Sequence, residues 1–157
     1  MVDSPSKEFQ DRTQRGLHVV YPILAVMFSL VGFADSVYLT VNHLNEVVTP
    51  CSLVTGCDKV LTSEFSEIWG IPISALGAVS YFLTFSFATF AFNQNRMAWT
   101  FLSLLSIGMA GFSLWLIYLQ AFVIGAFCQF CLISAGSSIS LFLTATTSFI
   151  LEKFRNK

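Results

Sequence analysis

Polar and apolar residues are unevenly distributed along this chain: three long stretches are almost free of charge, and the charged residues crowd into the gaps between them. The first stretch, residues 17–41, is interrupted only by Asp35. The second, residues 71–92, and the third, residues 97–151, contain no Asp, Glu, Lys or Arg. A helix crossing a hydrocarbon core about 30 Å thick needs about 20 apolar residues. The third stretch has 55 residues and holds two such helices. The gathering of Gln120, Gly125, Cys128, Gln129 and Cys131 marks the turn between them. The pattern predicts an all-α integral membrane protein, a bundle of four transmembrane helices at about residues 17–42, 71–92, 97–120 and 127–151. Residues 1–16 form a polar tail, residues 43–70 a long loop between the first two helices, and residues 152–157 a short second tail. The first apolar run is longer than the roughly 7–15 residues of a signal-peptide core. It also lacks a clean small-residue cleavage site, so it reads as a retained helix.

Composition supports the membrane reading. The chain has 157 residues, 55% of them hydrophobic and 11% charged, with a mean hydropathy of +0.71. Soluble domains carry about 25% charged residues, and a chain this short cannot hide so much apolar surface in a core of its own. Lipid is the partner that covers the excess. A net charge of −1 argues against a nucleic-acid partner.

The placement of the charges orients the bundle. Lys7, Arg12 and Arg15 precede the first helix, Arg96 lies between the second and third, and Lys153, Arg155 and Lys157 follow the fourth. In a four-helix topology these segments share one side, and the opposite side has Lys59 as its only basic residue. Basic residues collect on the cytoplasmic side, so both termini are expected there. The loop of residues 43–70 and the turn near Gly125 are expected on the opposite, oxidising side.

All four cysteines fall on that side. Cys51 and Cys57 form a C-x5-C pair in the long loop, and Cys128 and Cys131 a C-x-x-C pair where the last helix begins. Residues i and i+3 share a helix face, so the two sulfurs can close a small ring. At a helix start the unpaired N–H groups and the macrodipole favour negative charge. A cysteine there is more readily a thiolate, the nucleophilic form. Such a pair suits electron exchange more than permanent stapling. Two alternatives remain open on spacing alone: a static disulfide within the loop, and a four-thiolate zinc site. Zinc sites prefer C-x2–4-C on both sides, and here Phe127, Phe130 and Leu132 surround one pair.

Further residues complete a recognisable constellation. The first helix carries Gly32 and then Asp35, Ser36, Val37, Tyr38, Leu39 and Thr40. The loop and second helix read Cys51, Cys57, Val60, Ser63 and Phe65, then Gly70-Ile71-Pro72-Ile73-Ser74 and Gly77. The last helix opens Phe127-Cys128-Gln129-Phe130-Cys131. This combination resembles the vitamin K epoxide reductase family, in particular its bacterial members, over nearly the whole chain beyond the N-terminal tail. The resemblance implies a quinone-dependent thiol–disulfide oxidoreductase with ubiquinone or menaquinone as electron acceptor. It implies a bacterial inner membrane with the cysteines at the periplasmic face. It further implies a relay: Cys51 exchanges with a thioredoxin-like thiol oxidase, Cys57 passes the electrons to Cys128, and Cys131 faces the quinone. The partner is expected to be a separate protein, since no fused thioredoxin-like domain follows.

Three further residues are candidates for contact with the quinone. Ser74 lies one turn into the second helix, where its hydroxyl can meet a carbonyl. Phe130 lies between the two helix cysteines. Asp35 is the one ionisable residue set well inside a span, a position that usually marks function, and quinone reduction consumes protons. The segment 64–69 is expected to be a short interfacial helix carrying Phe65, Ile68 and Trp69. Animal relatives have an Asn early in the second helix and a Tyr four residues after the C-x-x-C; a gapless reading puts Ile73 and Ala135 there. That favours quinone over epoxide as the substrate. A vitamin K epoxide or quinone reductase is the alternative of the same chemistry, and a metal-binding membrane protein that is not an enzyme is the alternative of another class.

Overall fold

The computed structural model describes residues 5–45, 47, 56–92 and 96–155. Helix α1 spans Pro5–Leu44, the short α2 spans Cys57–Leu61, and α3, α4 and α5 span Ile73–Ala91, Arg96–Tyr118 and Gln129–Arg155. Among the described residues four segments are long and apolar enough to cross a membrane: Val19–Leu44, Ile73–Ala91, Met97–Ile124 and Gln129–Ser148. The protein is therefore a multi-pass helical membrane protein. α1 starts at Pro5, well before the apolar run, because a proline fits the first helical turn and the Lys, Glu, Gln and Arg that follow are good helix formers.

α1 packs against α3 and α5, and α4 against α3 and α5, closing a four-helix ring. Small residues make these contacts possible. Ala25, Ser29, Gly32 and Ser36 recur every three or four residues along α1 and are all buried. This is the spacing of one helix face, and small side chains let membrane helices approach closely. On α3 the facing residues include Gly77, Tyr81 and Ala88. A Cβ on Gly77 would lie 3.1 Å from Ser36 Oγ. Ala25, Tyr81, Ala88, Leu102 and Leu141 form the core of the bundle. The outer faces carry exposed Val20, Ile23, Met27, Leu83, Phe90, Leu104 and Leu143, which the hydrocarbon phase accommodates.

The structure changes two local expectations. The third span continues past Tyr118 as a π-helical turn, Leu119–Ile124, so the reversal is confined to residues 125–128. Residues 64–69 are not one helix. A 3-10 turn, Glu64–Ser66, leads into a hairpin in which β1 (Glu67–Ile68) pairs antiparallel with β2 (Ile71–Pro72). Trp69 and Gly70, at φ 56° and 76°, form its two-residue turn. Positive φ at both central positions is what a tight hairpin requires, and it is incompatible with a right-handed helix. Trp69 stands fully exposed at the tip.

Candidate active site

The 125–128 reversal builds the site. Gly125 takes a left-handed conformation, φ 64°, and donates its N–H to the Gln120 carbonyl. The Ala126 N–H reaches the same oxygen at 3.2 Å. The Gln120 side chain then accepts the Cys128 N–H on Oε1 at 3.0 Å. Gln120 is 2% exposed, so these bonds form away from water. They hold Cys128 at the position preceding α5.

There Cys128 acts as the helix cap. Its carbonyl accepts the Leu132 N–H at 3.1 Å, and its sulfur accepts the Cys131 N–H at 3.4 Å. Sulfur replaces the oxygen of the usual capping residue. The Cys128 thiol is held below its ordinary pKa, first by the hydrogen bond from the Cys131 thiol and also by the Cys131 and Phe130 N–H groups; burial and the nearby Asp35 oppose this. Cys128 and Cys131 are free thiols.

The loop brings its own cysteine to the same place. Cys57 opens α2 and is buried with Val60, Ala126 and Cys128 in one apolar cluster, against which Leu61, Phe130 and Cys131 pack. The approach is close because Gly56 precedes it. At φ 137°, its missing Cβ would lie 3.0 Å from Ala126 Cβ and 3.4 Å from the Phe127 carbonyl oxygen. Cys57 is disulfide-bonded. Cys51 lies outside the described residues.

A cavity of about 1100 Å³ opens beside Cys131 and draws on all four long helices, α2 and the hairpin. Cys131 borders it; Cys57 and Cys128 do not. Ser74 is also on its wall, with its Oγ 3.0 Å from Thr40 Oγ1, and the Thr40 hydroxyl in turn lies 2.7 Å from the Ser36 carbonyl oxygen. His43 and Glu67 are joined at 2.7 Å at the aqueous end of the cavity, tying α1 to the hairpin. Most of the remaining lining is apolar, drawn from Ile73, Leu105, Phe112 and their neighbours. The cavity has the character of a small-molecule site, apolar with a few convergent polar groups.

The other candidates sit elsewhere. Phe130 is not on the cavity wall; it packs on Tyr38 with ring centroids 5.3 Å apart, beside the cysteines. Asp35 is not on the wall either, and its Oδ2 is buried without a hydrogen-bond partner among the described residues. Two cavity residues had no functional signal in the sequence. Gln120 reads as a turn marker, and Tyr81 as one aromatic among many. Tyr81 donates to the Ser134 carbonyl at 2.6 Å and lies 2.7 Å from Ser138 Oγ, fixing the α5 turn that follows Cys131.

A multi-pass helical bundle with a C-x-x-C pair, one thiol of which borders an apolar cavity, defines a class of membrane oxidoreductase. The sequence model of the vitamin K epoxide reductase family matches residues 23–146, most of the chain, and the protein belongs to that family.

Proposed function

We propose that the protein oxidises a thioredoxin-fold thiol oxidase outside the cytoplasm and delivers the electrons to a membrane quinone, ubiquinone or menaquinone, in support of disulfide formation. The observation that carries the reading is the division of labour among the cysteines. Cys57 and Cys128 share one buried cluster, while Cys131 is the one cysteine among the described residues that borders the cavity.

The steps balance as follows. A dithiol partner reduces the disulfide between Cys51 and Cys57 and is itself oxidised. The Cys57 thiolate attacks Cys128 of an oxidised helix pair and releases Cys131 as thiolate. Cys51 then attacks Cys57, which restores the loop disulfide and frees Cys128. Each step is a thiolate displacing a thiolate through a mixed disulfide. The Cys128 and Cys131 dithiol finally gives two electrons and two protons to the quinone, yielding a disulfide and a quinol. The depressed Cys128 pKa supports its role as the thiolate that closes the helix disulfide.

Ile73 and Ala135 both line the cavity and offer it only hydrocarbon side chains, which favours quinone over epoxide. A disulfide at Cys57 removes one of the thiolates that a four-cysteine zinc site needs, which favours redox chemistry over metal binding. The orientation follows the basic residues, with both termini cytoplasmic in a bacterial inner membrane and the cysteines at the periplasmic face.

Reconstituted protein supplied with a reduced thioredoxin-fold oxidase and a short-chain quinone is expected to form quinol stoichiometrically with partner disulfide. Cys131→Ser should abolish quinol formation, and Cys57→Ser should trap the partner on Cys51. Purified protein that carries zinc and whose thiols leave added quinone unreduced would overturn the proposal.

A further inference from the structure

Gln120 has a polar group left over. Its Oε1 is committed to the Cys128 N–H and its carbonyl to the 125–126 turn. Its Nε2 donates to no group among the described residues, yet Nε2 is not among the fully buried unpartnered atoms. For a residue that is 2% exposed and lines the cavity beside Cys131, the space left to that NH2 group is the cavity itself. A carboxamide in a mostly apolar wall presents a donor suited to a carbonyl acceptor, and an unanswered donor there costs free energy until a ligand satisfies it.

Building on the quinone reading above, we infer that Gln120 is a substrate-binding residue: its Nε2 donates a hydrogen bond to one quinone carbonyl while its Oε1 holds the Cys128 backbone. One planar group thereby sets the substrate and the thiol pair in register. The bound carbonyl lies on the Cys131 side of the cavity, where electrons and protons arrive. The arrangement also explains why a glutamine stands at the end of an otherwise apolar span. Leucine there would leave both the Cys128 N–H and the quinone carbonyl without a partner.

The test compares wild type with Gln120→Met, which keeps length and removes both polar atoms. With a water-soluble short-chain quinone as substrate, KM should rise about fivefold, the loss of one net hydrogen bond. With that quinone carrying 13C at one carbonyl or the other, isotope-edited infrared spectra of the wild type should show one C=O stretch lowered relative to the other, and Gln120→Met should remove the difference. A purely structural role would lower turnover and leave KM and the carbonyl asymmetry as they are. Wild type that reduces quinone with neither carbonyl stretch lowered overturns the inference, as does Gln120→Met with wild-type KM and spectrum. Should Gln120→Met not fold, Gln120→Glu takes its place. Exchanging the NH2 for a carboxyl oxygen must change that carbonyl's stretch, and an unchanged stretch overturns the inference. Wild type that fails to reduce any quinone instead removes the proposed function itself.

Discussion

Gly32 on α1 lies against the ring of Tyr81 on α3 so closely that a Cβ at residue 32 would collide with its Cε1 and Cζ atoms. Tyr81 cannot move aside at small cost, because its hydroxyl is bonded to α5 through Ser134 and Ser138. Three helices therefore meet at one glycine. Gly32→Ala should destabilise the bundle by about 1–3 kcal/mol, the usual cost of forcing an atom into a packed core. Gly136→Ala on α5, where nothing lies within 4 Å of the added carbon, should be neutral or slightly stabilising. Thermal unfolding in detergent measures both, and equal effects would contradict this packing.

Gly56 is the corresponding contact at the redox site. Its φ of 137° disfavours any side chain, and an added Cβ would press on Ala126 and Phe127, the residues just before Cys128. Gly56→Ala should displace α2 and separate Cys57 from the helix pair. Transfer from a reduced partner to quinone should slow at least tenfold, on the scale of a misplacement by about 1 Å. Quinone reduction by protein reduced chemically at Cys128 and Cys131 should stay near the wild-type rate. Single-turnover kinetics with the two electron sources separate these steps.

Much of this was legible from residue patterns, and what was not has physical causes. Four spans follow from uncharged runs because the bilayer tolerates so little charge, and the meeting of Cys57 with Cys128 and Cys131 at one end of the bundle follows from span count. Residues 64–69 misled the helical reading because Phe65, Ile68 and Trp69 fit a helix face. Nothing in a tryptophan announces a left-handed backbone. The role of Gln120 was hidden because it depends on a π-helical turn and on a glycine five residues later. The cavity depends on small residues, Ser36, Gly77 and Ala135, that belong to three different helices.

The sign of the Cys128 shift gives a pH prediction. The thiol is held below the ordinary value of about 8.5, first by the Cys131 thiol. In reduced protein, its reaction with a small neutral disulfide reagent should therefore reach half-maximal rate below that pH. Cys131→Ala should move the midpoint upward, and Cys131→Ser, which keeps a hydroxyl donor, should move it less. By linkage, the depressed thiol contributes stability that is present above the unfolded value and lost as pH falls through the folded one. A midpoint unaffected by Cys131→Ala would show that the cysteine contact does not set the shift.

Ser74 and Thr40 allow binding to be told apart from packing. Their hydroxyls are 3.0 Å apart between α1 and α3, and only Ser74 is on the cavity wall. Hydrogen bonds between membrane helices contribute about 0.6 kcal/mol on average, so Thr40→Val and Ser74→Ala should each cost roughly that in stability. If Ser74 also meets the substrate, Ser74→Ala should raise the quinone KM severalfold, while Thr40→Val should leave it within twofold. Equal KM values for the two variants would confine Ser74 to helix packing.

Tyr81→Phe tests whether the α5 turn after Cys131 needs its anchor. The hydroxyl is buried and bonded to the Ser134 carbonyl and to Ser138, so its removal should cost about 1–3 kcal/mol, the penalty for leaving buried partners unanswered. Ser134 is one turn beyond Cys131, and both border the cavity. Loosening that turn moves the thiol relative to the substrate without changing either. The expected signature is a lower quinone turnover with little change in KM, while the loop disulfide still exchanges with partner at the wild-type rate. A variant that loses stability but retains full turnover would confine Tyr81 to holding the bundle together. One that loses turnover in proportion to the freed α5 turn, read from amide exchange at residues 131–135, would place it among the residues that aim Cys131 at the cavity.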